Sequence, residues 1–176
     1  DAYKNTLESS TNFKRFFEWF DLMEDEERRE KIERENTKYR SPILETVRRA
    51  LSLFVGDRFT NPRIEIKPLR FVMDEIGENG EKRQLRIEQM SDGYKIITAM
   101  VADIASRMAE ANPDMEDALL TPGIVLVDEI DLHLHPKWQR VIIDSLTKTF
   151  PNVQFIVTTH SPIILLGAMG NAQMIV

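Results

Sequence analysis

The stretch Ile124-Val125-Leu126-Val127-Asp128-Glu129 decides the fold. Four consecutive apolar residues, rich in β-branched side chains, read as a strand buried on both faces, as in a parallel sheet. Two acids follow at once, so both carboxylates fall at the C-terminal end of that strand. In open α/β sheets this edge is where ligands sit. Downstream, Pro136 to Phe150 predicts a helix with proline in its first turn, and Val153-Gln154-Phe155-Ile156-Val157 predicts a second buried strand. Strand, helix, strand with turn signals between is the βαβ unit of a parallel sheet. Ser161-Pro162 starts a further short helix, a cap residue followed by proline at the first helical position.

Upstream, the texture changes. Asp92 to Ala111 predicts a helix whose apolar face holds Ile96, Ile97, Met100, Val101, Ile104, Ala105 and Met108, stopped by Asn112-Pro113. Before it lies an antiparallel β element over roughly 63–88. Its strands are Arg63 to Lys67, with Ile64 and Ile66 on one face, Leu69 to Met73, and Gln84 to Glu88, with Leu85 and Ile87 in phase. Asn79-Gly80 marks a tight turn between the last two, because both residues tolerate positive φ. Ser41-Pro42 begins a helix to about Phe54 with Ile43, Val47, Ala50, Leu51 and Phe54 inward, and Gly56 to Pro62 reads as loop. Residues 12–35 form one long helix, with Phe13, Phe16, Phe17 and Phe20 at helical spacing beside Trp19.

With 176 residues the chain has the length of about one domain, and 42% hydrophobic and 30% charged residues are enough for a packed core. It contains no cysteine, which excludes a disulfide framework, a zinc finger and thiol catalysis. No apolar run nears the roughly 18 residues needed to cross a bilayer. The expectation is a cytoplasmic protein with no membrane partner. The net charge of −6 gives no support to a chain-wide grip on nucleic acid and leaves only a local basic patch open. Most of that charge lies in Asp21 to Glu35, whose eight acids and four bases contribute −4. That run reads as a solvated helix protruding from the body, or as a docking surface.

Three constellations carry chemistry. Asp128 and Glu129 at a sheet edge suit Mg²⁺-dependent phosphate chemistry, one acid holding the metal and the other polarising an attacking water. Thr158-Thr159-His160-Ser161-Pro162 follows the next strand, so His160 emerges at the same edge, where an imidazole can hydrogen-bond a phosphate or the water. Met90-Ser91-Asp92-Gly93-Tyr94-Lys95 precedes the long apolar-faced helix, whose N-terminal N–H groups favour phosphate. Each has a plain structural alternative: surface acids, a structural histidine, an ordinary serine cap.

Taken in this order, the three resemble the C-terminal half of an ABC-type ATPase head of the SMC-like, AAA_21 sort. Met90 to Tyr94 matches the signature motif, Ile124 to Glu129 Walker B, and His160 the switch histidine. The run Asp128-Glu129-Ile130-Asp131-Leu132-His133-Leu134-His135-Pro136-Lys137-Trp138-Gln139 looks like the same region of bacterial AAA_21 ATPases, including those of Septu-type and retron-linked anti-phage systems. Phe16-Phe17-Glu18-Trp19-Phe20 and Val157 to Pro162 fit the same group. The resemblance implies ATP and Mg²⁺ as cofactors. It implies that Asp128 supports Mg²⁺, Glu129 orients and deprotonates water, and His160 contacts the γ-phosphate. Ser91, Asp92 and Gly93 would meet the γ-phosphate of a nucleotide held by the opposite subunit. The implied partners are a second copy in a head-to-head dimer or higher oligomer and a nuclease effector regulated by ATP-driven dimerisation.

Two departures stand out. Asp92 and His135 occupy positions where transporters carry glycine and aspartate. More telling, no G-x-x-x-x-G-K-[ST] occurs in the sequence, and residue 1 is Asp. The expected organisation is therefore a helical insertion over 1–62, an antiparallel β element over 63–90 and the C-terminal portion of an ABC-type P-loop NTPase head over 91–176, an α/β fold with a parallel sheet and flanking helices, the P-loop lobe lying outside the chain. On its own such a chain is expected to be inactive. Two other classes compete. One is a non-catalytic scaffold that keeps the fold. The other is a metal-dependent amidohydrolase using His133 and His135, since Asp131 to Pro136 is similar to an Asp-x-His-x-His motif. An amidohydrolase barrel needs about 250 residues.

Overall fold

The computed structural model describes residues 2–56, 59–77, 79–132, 134–170 and 172–173, with side chains from residue 13 on, Glu88 excepted. Helix α1 (Ala2–Glu33) is followed by α2 (Pro42–Val55). Helix α1 begins well before residue 12. The polar sequence there has no apolar stripe to announce a helix. Its aromatic face is built as the spacing predicts. Phe16 and Phe20 are buried and meet Phe71 edge-on, each with centroids 5.3 Å apart. Helix α2 starts where expected, with the Ser41 hydroxyl accepting from the Leu44 N–H. Leu44 is buried there, and Ile43 lies at the margin.

The charged half of α1 corrects the sequence reading. It is not solvated throughout: residues 32–35 at its end are exposed, but Glu24 and Glu27 are only 7% and 3% exposed. The Arg48 guanidinium on α2 bonds both, at 2.8 Å to Glu24 and 3.0 Å to Glu27. Glu24 also accepts the Ile64 N–H, and Glu27 the Ser41 N–H. The acids at one helical spacing thus tie α1 to α2 and to the sheet, while Asp25 and Glu30 pair locally with Arg28 and Arg34.

Strands β1 (Phe59–Ile66), β2 (Leu69–Ile76) and β3 (Lys82–Arg86) form an antiparallel sheet in that order. All three differ in extent from expectation. Strand β1 starts within the presumed loop, across a bulge between Thr60 and Arg63 where Asn61 takes φ 55° and Pro62 needs no ladder donor. Ile64 is buried but Ile66, at the strand end, is 59% exposed, so the two do not share a covered face. Strand β3 ends at Arg86, because Ile87–Gln89 turns into a short 3₁₀ segment that buries Ile87. The β2–β3 turn has Gly80 at φ 78°, as Asn-Gly predicts.

Helix α3 (Asp92–Ala111) spans its predicted range and forms the spine against which α1 and α2 pack. Then come β4 (Gly123–Val127), α4 (Pro136–Gln139), α5 (Ile142–Thr149), β5 (Val153–Val157) and α6 (Pro162–Ala168). Strands β4 and β5 pair in parallel, Val125 opposite Phe155 and Val127 opposite Val157. The α/β class with a parallel sheet and flanking helices stands. The helix expected over Pro136 to Phe150 is broken at Arg140–Val141. Trp138 must reach Phe54, stacked at 5.8 Å, and Tyr94, edge-on at 4.9 Å, while Ile142, Ile143 and Leu146 enter the core. The break separates these two packing demands.

The second correction concerns the deciding strand. Val125, Val127, Phe155 and Val157 pack against the core. On the opposite face Ile124, Leu126 and Ile156 are 67%, 77% and 49% exposed. Among the described residues, strands β4 and β5 are therefore covered on one side.

Candidate functional site

The parallel pair delivers two loops to one edge. After β4 come Asp128, Glu129, Ile130 and Asp131. After β5 come Thr158, Thr159, His160 and Ser161. The loops interlock through the backbone: the Thr158 N–H donates to the Val127 carbonyl at 3.0 Å, and the Ile130 N–H to the Thr158 carbonyl at 3.1 Å. Asp128, Glu129 and His160 are all exposed at this edge.

Threonine hydroxyls complete the join. The Thr158 hydroxyl accepts the Glu129 N–H at 2.8 Å and donates to Asp128 Oδ1. One side chain therefore fixes both acids. Glu129 itself has φ 48°, a left-handed backbone that costs a non-glycine residue of order 1 kcal/mol. The Thr158 bond to its N–H holds it there. The Thr159 hydroxyl donates to Asp131 Oδ1, which also accepts the His160 N–H at 3.2 Å. Burial pushes the Asp131 carboxyl up, but the bonds from Thr159 and from backbone N–H groups outweigh it and hold it below the usual carboxylate range. Gln139 buckles the two loops from α4. Its Oε1 accepts from the Ser161 hydroxyl at 2.7 Å, and its Nε2 donates to the Leu134 carbonyl at 3.0 Å.

The structure brings Asp128, Glu129 and His160 together. It does not bring Ser91, Asp92 and Gly93 to them: among the described residues no hydrogen bond or ion pair joins the two groups. Ser91 stands at the N-cap of α3 with its hydroxyl making no cap bond, Asp92 pairs with Lys95 at 3.0 Å, and Gly93 is buried in the first turn. Tyr94, next along α3, packs edge-on against Trp138 of α4. His133 lies outside the described residues. The His135 ring nitrogen Nδ1 accepts the Lys137 N–H as the cap of α4, and no cluster of three or more metal-binding side chains occurs among the described residues. No helix among them is long and apolar enough to cross a membrane.

Sequence reasoning missed Thr158, Thr159, Asp131 and Gln139. Two consecutive hydroxyls flanking a histidine at a strand end were the available signal, since Ser and Thr side chains favour local bonds to backbone groups.

A family model described as "AAA domain, putative AbiEii toxin, Type IV TA system" matches residues 3–166. The chain belongs to the AAA_21 family. Among curated proteins it is 44% identical over 145 residues to the Escherichia coli protein named "Retron Ec83 probable ATPase", a match covering 80% of this chain and 26% of that protein. It is 46% identical over 84 residues to "Septu protein PtuA" of Bacillus mycoides, covering 47% of the chain and 11% of that protein. A solved SMC ATPase structure is similar with a TM-score of 0.47 and 23% identity, over 71% of this chain and 73% of the other. The AAA_21 chain thus spans about a quarter of the retron relative's length.

Proposed function

We propose that this AAA_21 chain is the part of an anti-phage defence ATPase that carries the hydrolytic edge of an ABC-type head. The observation that carries the reading is the convergence of Asp128, Glu129 and His160 on one sheet edge, locked by Thr158. Glu129 orients the attacking water and takes its proton. His160 hydrogen-bonds the γ-phosphate. Asp128 keeps one carboxylate oxygen outside the Thr158 bond, and an exposed carboxylate is the hard oxygen donor that Mg²⁺ takes. Bound there, the ion would neutralise charge that develops on the phosphates. The cradle for the β- and γ-phosphates comes from a P-loop lobe elsewhere in the full-length protein. That lobe packs on the open face of Ile124, Leu126 and Ile156.

Ser91, Asp92 and Gly93 act in trans, meeting the nucleotide held by a second copy. The free Ser91 hydroxyl at the N-terminus of α3 supports that role. ATP then joins two heads by binding the closed pair better than the open one. The cycle regulates a nuclease effector in the bacterial cytoplasm; the retron and Septu names of the relatives support only the defence ATPase part of this reading.

The test is ATP hydrolysis by the full-length protein and its Glu129→Gln variant. The expected loss is about 10²-fold or more, with ATP-bound dimers accumulating. Equal rates would remove Glu129 from catalysis and leave the scaffold reading in its place.

A further inference from the structure

The turn that carries His160 is anchored by a group to which the proposed hydrolysis assigns no part. The His160 imidazole makes no hydrogen bond among the described residues; it interacts with the Asp131 carboxylate through charge, and its backbone does most to fix where the ring points. That backbone is held by one carboxylate oxygen. Asp131 Oδ1 accepts the His160 N–H at 3.2 Å and the Thr159 hydroxyl, and the Thr159 oxygen in turn accepts the Ser161 N–H at 3.0 Å. Three successive residues of the histidine loop thus hang on Asp131, which stands two positions after Glu129.

A second attachment closes the arrangement. Gln139 accepts from the Ser161 hydroxyl at 2.7 Å while donating to the Asp131 and Leu134 carbonyls at 3.4 Å and 3.0 Å. The acid loop and the histidine loop are therefore tied at several points. Asp131 is half-buried, and no hydrogen bond or ion pair joins its carboxylate to Asp128 or Glu129 among the described residues.

We propose that Asp131 is the positioning residue of His160, setting the imidazole against the edge shared with Glu129. The proposal rests on His160 serving ATP hydrolysis. A misplacement of about 1 Å at a reacting centre costs on the order of 10²-fold in rate, so an imidazole with no hydrogen bond of its own depends on its turn. What Asp131 supplies first is an acceptor oxygen in a fixed place, beside a charge that also reaches His160. Asparagine offers the same Oδ1; alanine offers nothing.

The experiment uses the full-length protein. ATP hydrolysis is measured for wild type, Glu129→Gln, His160→Ala, Asp131→Ala, Asp131→Asn and the double variant Asp131→Ala/His160→Ala. Hydrogen exchange is read at the His160 amide. Asp131→Ala is expected to lower kcat by about 10-fold or more with the KM for ATP nearly unchanged, and to lose protection at the His160 amide. Asp131→Asn is expected to restore the amide protection and most of the rate. The double variant is expected to be no slower than His160→Ala alone, because Asp131 acts only through His160. Losses that multiply in the double variant, or an asparagine variant as slow as alanine, would overturn the positioning role while the Glu129→Gln defect keeps the hydrolytic reading intact. Wild-type rates in Glu129→Gln and His160→Ala would overturn both.

Discussion

Removing the Arg48 guanidinium tests the internal ion cluster that fastens α1. Arg48→Met keeps the apolar stem and deletes the charge. Arg48 bonds Glu24 at 2.8 Å and Glu27 at 3.0 Å, and both acids are nearly fully buried. Breaking a buried pair leaves uncompensated charge and costs about 3–5 kcal/mol. Each acid keeps other partners, however: Glu24 has Arg28 at 3.2 Å and the Ile64 N–H, and Glu27 has Lys31 at 2.8 Å and the Ser41 N–H. The expected cost is therefore about 2–4 kcal/mol, reaching below the buried-pair range because each acid keeps other partners. With a urea m-value of about 2 kcal/mol/M, the unfolding midpoint should fall by about 1–2 M. The control is Arg48→Met together with Glu24→Gln and Glu27→Gln, which removes the stranded charges and should recover most of the loss. A single-variant loss below about 1 kcal/mol would mean that the cluster behaves like a surface pair. A triple variant as unstable as the single one would mean that the cost was packing and not unpaired charge.

Two further outcomes follow from the same contacts. Gly167→Ala places a Cβ 2.3 Å from the Arg140 carbonyl oxygen, backbone that must shift, so thermal unfolding should show a loss of about 1–3 kcal/mol. The Glu27 carboxyl is pushed up by burial but held below its usual range by the Lys31 and Ser41 bonds and the Arg48 charge. A depressed carboxylate contributes stability above about pH 4 that is lost as pH falls through its folded value. Glu27→Gln should therefore flatten the acid limb of stability between about pH 5 and pH 2, read by denaturant titration at each pH. An unchanged acid limb would assign acid unfolding to other carboxylates.

What was legible in the sequence depended on range. Ser41-Pro42 and Ser161-Pro162 announced their helices because capping is local chemistry. Asp128, Glu129 and His160 were readable because a parallel pair sends successive strand ends to one edge. Asp131 and Thr159 were quoted in the motifs, yet their bond spans 28 residues and leaves no periodic trace. The acidic run on α1 misled for a related reason. Charge periodicity on a helix marks a face but not what covers it, and Glu24 and Glu27 found their cation on α2.

The open face of β4 and β5 is the instructive disagreement. Ile124, Leu126 and Ile156 alternate with Val125, Val127, Phe155 and Val157, so the sequence demands cover on both sides. The fold of these residues supplies it on one. The pattern states a demand for cover, and the described residues meet it on one side only. A contiguous apolar sheet face left to water is unfavourable by roughly 25 cal/mol for each Å², so whatever packs there gains stability and also sets the twist of the two strands. Those strands end at Val127 and Val157, one residue before Asp128 and Thr158. On the proposed function the covering element is the lobe that carries the phosphate cradle. Covering the sheet and completing the nucleotide site would then be one event. On that reading, polar substitution at Leu126, which carries no phosphate-binding group, should weaken ATP binding by the full-length protein, and unchanged binding would refute the link.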